Sequence, residues 1–358
     1  MTPRHLAPRQ TAPACLATTV RRRALGLVLL PFLLPACGGG DDDGPPICSD
    51  VLISVDAGRI YGQLCRPARA PNSKVLQVLV HGATYDHTYW NFPGFDQRYA
   101  YSLAMNRAGY STLAIDQLGV GKSSHPPSSE VTYAATAKAV AQVIDVARAG
   151  TLGETYSKVV LVGHSIGSLV SVGTAAQYRN IDGLLLSGFS HSLGASGFGA
   201  LTAGMVPALQ DPVITAKTAL PAGDTGYLSV VGGRAVFYQS GDAEAAIVTA
   251  DENSRSEMSA FLNPVDGLLT DASTITVPVL VANGVKDIAF CSQGGGGSTT
   301  DCSSATSLRT SEASFFSAAT PLEAYVLADA GHNLNLTRQA QTWYRDALAW
   351  FQTRFPVR

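Results

Sequence analysis

One serine stands between two glycines in GHSIG, residues 163–167, and the residue types around it are those of acyl-transfer chemistry. An apolar run, residues 159–162, stops at Gly163, and a helix-forming stretch follows Gly167. A nucleophile on so sharp a strand-to-helix corner has a strained backbone. Side chains two residues to either side would strike the adjoining strand and helix, which is the physical use of the two glycines. In a chain with 35 glycines the pentapeptide alone is a weak signal, so the partners matter. A serine hydroxyl is a poor nucleophile until a base takes its proton. His332, in ADAGHNLN after the last apolar strand, is the best-placed base. Asp287, in VLVANGVKDIAF just beyond a buried strand, is the best-placed acid. From there a carboxylate reaches a histidine on the next loop, fixes its tautomer and stabilises the imidazolium. Asp271 lies before that strand, at its wrong end, and Asp329 is only three residues from His332.

The stretch LVHGATYDHTYW supplies the electrophilic part. After an apolar strand, His81-Gly82 lets the chain turn so that backbone N–H groups face the serine. The expected oxyanion hole is the amide of Ala83 with the amide of Ile166, the residue after the nucleophile. Two donors aimed at a developing oxyanion contribute roughly 3 kcal/mol each. Thr84, Tyr85, His87 and His191 are expected to line the substrate pocket, with His125 at its mouth and Tyr89 and Trp90 either there or packed in the core. His164, pointing away from its neighbour Ser165, and His81 read as structural. Asp116, in AIDQLGVGKSS, reads as fixing the loop that contains Gly119 and Gly121.

These groups need a rigid frame, and the apolar patterning provides one. Four short runs rich in Val, Leu and Ile (75–80, 111–116, 158–163 and 183–188) are separated by segments of helical character. Continuous apolar strands alternating with helices predict a parallel sheet covered on both faces. Residues 95–110 and 132–150 read as helices ended by Gly109 and Gly150, and residues 168–178 as the helix after the elbow. Before them, VLISVDAGRIYGQLCRP reads as a hairpin. From about 189 to 270 the alternation stops in an Ala-, Gly- and Ser-rich segment, expected to be a cap inserted in the sheet. Its only basic residues before Arg255 are Lys217 and Arg234, which favours neutral, apolar substrates. The sheet resumes at 275–284 and 323–332, and an amphipathic helix at about 338–351 closes the domain.

The elements HGA, DQLGVGKS, GHSIG and GVKD…GH, in that order, resemble the α/β-hydrolase fold of the serine-nucleophile, esterase or lipase-like type, over about residues 50–355. The resemblance implies a mostly parallel, doubly wound α/β sheet with a cap or lid, and a triad of Ser165, Asp287 and His332 in the chain order Ser…Asp…His. The expected activity is that of a carboxylic ester hydrolase acting on a small-molecule substrate; a lactonase or serine peptidase would use the same triad, and a non-catalytic surface binding lipoprotein on the same scaffold is the third reading. Epoxide hydrolases and dehalogenases of the fold carry Asp at the elbow, where this chain has Ser165.

Composition bounds the rest. With 358 residues, 46% of them hydrophobic and 15% charged, the chain can bury a large core. No basic stripe points to nucleic acid, no Cys/His spacing fits zinc, and nothing calls for a cofactor. Residues 1–36 carry five arginines and no acid, and removing them takes the formal net charge from −2 to −7. Arg21 to Arg23 precede an 11-residue apolar stretch that ends in LPAC. This resembles a bacterial lipoprotein signal, with Cys37 the lipidation site and residues 37–47 a flexible tether to a domain over 48–358. The resemblance implies export and a lipid anchor in the membrane. Gly38 after the cysteine favours the outer membrane. Of the remaining cysteines the sequence-near pairing is Cys48–Cys65 and Cys291–Cys302, two loops of 17 and 11 residues that each stabilise by roughly 3 kcal/mol in an oxidising compartment. The GGGGS at 294–298 then reads as a natural surface loop closed by the second pair.

Overall fold

The computed structural model describes residues 44–68, 74–239 and 241–357. The expected signal segment, Cys37 and the tether as far as Asp43 lie outside the described residues. Among the described residues, eleven strands run in chain order: β1 (Ile47–Val55), β2 (Gly58–Arg66), β3 (Val75–Val80), β4 (Ser111–Ile115), β5 (Lys158–His164), β6 (Gly183–Ser187), β7 (Met205–Pro207), β8 (Tyr227–Val230), β9 (Met258–Ser259), β10 (Val279–Gly284) and β11 (Leu322–Leu327). Eight of them form one sheet in the order β1-β2-β4-β3-β5-β6-β10-β11. The β1–β2 hairpin and the β2–β4 pair are antiparallel, and every later pair is parallel. The central strands β3, β4 and β6 are buried at every position, as unbroken apolar runs require once both faces are covered.

The covering helices are α1 (Tyr101–Arg107), α2 (Tyr133–Arg148), α3 (Ile166–Tyr178) and, at the C-terminus, the 15-residue helix Ala340–Arg354. Val140, Val143, Ile144, Leu169 and Val172 of α2 and α3 join one core cluster, with Leu76, Val78 and Leu161 of the sheet. Tyr101 and Met105 of α1 join a second, with Trp343, Tyr344 and Phe351 of the C-terminal helix. The first of these helices is shorter than the sequence predicts. Phe95, Asp96 and Gln97 all have positive φ, so the chain makes a tight turn there and helix begins only at Tyr101. The helix after the elbow begins at Ile166, two residues early, and the C-terminal one runs on to Arg354.

Between β6 and β10 lie α4 (Ala195–Thr202), α5 (Pro212–Thr215), α6 (Ala245–Ser254) and α7 (Pro264–Leu268), with β7, β8 and β9 forming a small antiparallel sheet. Two buried ion pairs tie this segment together. Arg255 meets Asp211 through Nε and Nη2, each at 2.7 Å, and Arg234 lies 3.5 Å from Asp251. Both disulfides form as paired from the sequence, Cys48–Cys65 across the hairpin and Cys291–Cys302 beyond β10. The GGGGS loop is less superficial than expected: Gly296 and Ser298 are buried, and the Gly296 carbonyl accepts from Gly197 N–H of α4 at 2.9 Å. No helix among the described residues is long and apolar enough to cross a membrane.

Candidate active site

Strand β5 ends at His164, and Ser165 occupies the corner before α3 with φ 53° and ψ −121°. This is a backbone conformation an L-residue holds at a cost of about 1–3 kcal/mol, and it persists only where surrounding contacts enforce it. Here the Ser165 N–H donates to the Ser187 carbonyl of β6 at 2.8 Å, while its own carbonyl accepts from Ser168 and Leu169. Both flanking glycines are required by space. A Cβ at Gly167 would fall on the carbonyls of Val80 and His81, and one at Gly163 on the backbone of Ser168 and Gly167.

Three side chains distant in sequence meet at this corner. His332, after β11, places Nε2 2.9 Å from Ser165 Oγ and Nδ1 2.8 Å from Asp287 Oδ2. The other Asp287 oxygen accepts from the amides of Ala289 at 2.9 Å and Phe290 at 3.1 Å. With both carboxylate oxygens occupied and the side chain fully buried, Asp287 can hold the histidine ring in only one orientation. Asp329, the nearer acid in sequence, is 80% exposed and lies 3.8 Å from Lys286. Asp271 caps a short helical turn through Ser273, at the far end of β10.

The turn after β3 is closed by Tyr85 N–H to Gly82 O at 3.3 Å, with Thr84 at a φ of 58°. A positive φ at the third residue is the requirement of a type II turn, usually met by glycine. Among the described residues, neither the Ala83 nor the Ile166 amide donates to a protein acceptor, and both residues border the cavity in front of Ser165. That cavity is narrow, about 70 Å³, and no Asp, Glu, Lys or Arg lines it. Phe198, Leu201, Met205, Val230, Phe237 and Met258 of the segment between β6 and β10 form its outer wall.

Of the four expected pocket residues, Thr84 and Tyr85 border the cavity, and His87 and His191 do not. Each of these histidines is held elsewhere by an acid far away in sequence. His87 Nδ1 lies 2.7 Å from Asp116 Oδ1, its ring edge-on to Tyr61. His191 Nδ1 lies 2.6 Å from Glu312 Oε2, its ring stacked on Phe315. His125 is likewise taken by Glu257 at 2.8 Å. Tyr89 and Trp90 are core residues, Tyr89 stacking on His164 beneath the elbow. His164 and His81 are fully buried, and burial holds both imidazoles below their ordinary pKa, His164 well below it. Neutral at working pH, they serve as packing and hydrogen-bonding groups: His81 Nε2 accepts from Gln117 N–H at 3.1 Å. Asp116 fixes its loop by also accepting from Lys122 N–H at 2.9 Å.

Sequence reasoning did not single out a polar group at the back of the site. Arg234 is 1% exposed, its guanidinium 4.2 Å from the centroid of the Tyr85 ring. Asp251 accepts from the hydroxyls of Tyr85 at 3.0 Å and Tyr238 at 2.7 Å, and Asn333, next to His332, donates to Tyr85 Oη at 2.9 Å. Asp242 accepts from Gly331 N–H at 2.8 Å. The one signal available was an arginine in a segment whose other Lys or Arg residues are only Lys217 and Arg255.

The model of the alpha/beta hydrolase family matches residues 77–344, which is well over half of the chain. This chain belongs to the alpha/beta hydrolase family. Solved structures with the same fold include the carboxylesterase CesB of Bacillus subtilis, at 16% identity and a TM-score of 0.53, covering 85% of this chain and 92% of that one. A soluble variant of the monoglyceride lipase of Saccharomyces cerevisiae matches at 14% identity and a TM-score of 0.58, covering 88% and 97%. An esterase of Thermogutta terrifontis matches at 15% identity and a TM-score of 0.51, covering 86% and 99%. At these identities the likeness is one of fold, and what this α/β hydrolase acts on must be argued from its own site.

Proposed function

We propose that this hydrolase cleaves carboxylic esters of neutral, apolar acids through an acyl-enzyme on Ser165. The observation that carries the reading is the unbroken hydrogen-bonded chain Asp287–His332–Ser165, which ends at the wall of an uncharged cavity. Ser165 Oγ attacks the ester carbonyl as His332 Nε2 takes its proton, and the amides of Ala83 and Ile166 donate to the oxyanion. Collapse of the tetrahedral adduct expels the alcohol, which takes the proton from His332. Water, deprotonated by the same imidazole, then releases the acid and regenerates Ser165. Asp287 keeps Nδ1 protonated throughout, so that Nε2 is the basic nitrogen. The cavity is less than half the roughly 150 Å³ that accommodates a benzene ring, which favours short acyl chains. A carboxylesterase, an esterase and a monoglyceride lipase among proteins of the same fold agree with ester chemistry.

In this reading residues 1–36 direct export, Cys37 carries the lipid, and residues 37–47 tether the body 48–358 to a membrane surface, the outer membrane by the residue after Cys37. The segment at about 189–270 acts as the cap. The two disulfides support an oxidising compartment. The test is hydrolysis of p-nitrophenyl esters from acetate upward, with fluorophosphonate labelling, by the purified protein and its Ser165→Ala variant. Hydrolysis and labelling that both vanish in the variant are expected. Turnover that survives in Ser165→Ala removes the acyl-enzyme. No turnover and no labelling in the wild type would make this a binding protein on a hydrolase scaffold.

A further inference from the structure

Two buried Arg–Asp pairs sit in the segment between β6 and β10, and they are built differently. Arg255 grips Asp211 with two nitrogens, Nε on Oδ2 and Nη2 on Oδ1, which is the fork-on-fork geometry that makes such pairs strong. Arg234 does not grip its acid. Its Nε stays 3.5 Å from Asp251 Oδ1, and neither atom makes a hydrogen bond among the described residues. Instead both terminal nitrogens of Arg234 go to one residue of the turn after β3: Nη1 donates to Thr84 Oγ1 at 2.9 Å and Nη2 to the Thr84 carbonyl. The same carbonyl also accepts from Ser256 N–H at 2.8 Å, and Thr84 Oγ1 donates to the Ala83 carbonyl at 2.7 Å.

Thr84 needs this hold. A β-branched residue with positive φ is a backbone outlier, and without external bonds it would relax toward negative φ. Such a relaxation would rotate the peptide that joins Ala83 to Thr84 and move the amide next to it. We infer that Arg234, backed by Asp251, is a positioning residue that fixes the Ala83 amide as an oxyanion donor by clamping Thr84 from the segment between β6 and β10. This inference rests on the proposed acyl-transfer reading and adds a residue to it. The planar guanidinium meets Oγ1 and the carbonyl with two separate nitrogens, a fixed fork that the single nitrogen of a lysine on its flexible stem does not reproduce.

The experiment compares wild type, R234K and the charge-neutral double variant R234M/D251N. The double variant is included because removing Arg234 alone leaves the Asp251 carboxylate buried without its countercharge, which is itself strongly destabilising. Each is assayed on a p-nitrophenyl ester and titrated with two ligands of one shape. A trifluoromethyl ketone adds Ser165 Oγ and places an oxyanion in the hole, whereas the matching secondary alcohol only fills the cavity. Thermal denaturation establishes that each variant is folded. In both variants kcat should fall at least about tenfold and up to the roughly 10²–10³ that loss of one oxyanion donor costs, with KM within about threefold of wild type. Affinity for the trifluoromethyl ketone should fall by the same factor as kcat/KM, and affinity for the alcohol should stay. Wild-type kcat in R234K, or equal weakening of ketone and alcohol, overturns the inference, since a packing role moves both ligands together. If Ser165→Ala retains wild-type turnover, the acyl-transfer reading itself is lost. If it is inactive while the Arg234 variants match wild type, only the positioning role is.

Discussion

Replacing Asp287 by Asn changes one atom and reverses the direction of a hydrogen-bond chain. In the native site both carboxylate oxygens accept, Oδ1 from the amides of Ala289 and Phe290 and Oδ2 from His332 Nδ1–H. An asparagine has one acceptor and one donor. Turning its NH2 toward Ala289 and Phe290 would set donor against two donors, so the NH2 must face His332. The imidazole then accepts at Nδ1 and carries its proton on Nε2, 2.9 Å from Ser165 Oγ, where a base is needed. The ring stays in place and is the wrong tautomer, which in a serine triad lowers kcat by about 10⁴, or roughly 5 kcal/mol at the transition state. The assay is steady-state hydrolysis of a p-nitrophenyl ester by wild type, Asp287→Asn and Asp329→Asn, with circular dichroism to establish folding. Asp329 is exposed and bonded to neither histidine nor serine, so its variant should match wild type. Folded Asp287→Asn with activity within tenfold of wild type would refute the tautomer argument. A large loss in Asp329→Asn would move the acid to the other residue.

Three further outcomes follow from packing and charge. Gly167→Ala drives a methyl group into the carbonyls of Val80 and His81, where backbone cannot yield cheaply, and should cost about 3 kcal/mol, seen as a fall in Tm of roughly 5 °C. The buried neutral imidazole of His164 takes up a proton near pH 6.5 only when the chain unfolds. Its contribution is therefore present above that pH and is lost as pH falls below it, and His164→Gln should flatten the fall of Tm with acidification. Leu201→Ala, which widens the outer wall of the cavity, should move the preferred acyl chain to greater length in the p-nitrophenyl series without lowering kcat for the acetate.

The sheet was legible because its strands are short unbroken apolar runs, and a parallel strand buried on both faces has no other pattern to show. Ser165, Asp287 and His332 were legible because each stands at the end of a strand, where the order of strands in the chain dictates their order around the site. The shortened first helix was not, since nothing in the sequence from Phe95 to Gln97 announces three consecutive left-handed residues. His87 and His191 were misplaced for a common reason. Each is hydrogen-bonded to an acid, Asp116 or Glu312, that lies 29 or 121 residues away, and pairing over that distance leaves no local pattern. The strands β7, β8 and β9 are two to four residues long, too short for a period of two to be seen. Arg234 was visible as one of few basic residues in its segment, but its bonds to Thr84 span 150 residues.

Acyl transfer at this site requires a covalent intermediate at one atom, Ser165 Oγ. The direct measurement is mass spectrometry of the purified protein quenched in acid within milliseconds of mixing with p-nitrophenyl acetate. One acetyl group on the peptide containing Ser165, appearing with the burst of nitrophenol and decaying at the turnover rate, is the expected result. Steady nitrophenol release with no acetyl on that peptide, or acetyl on another residue that is kinetically competent, would contradict it.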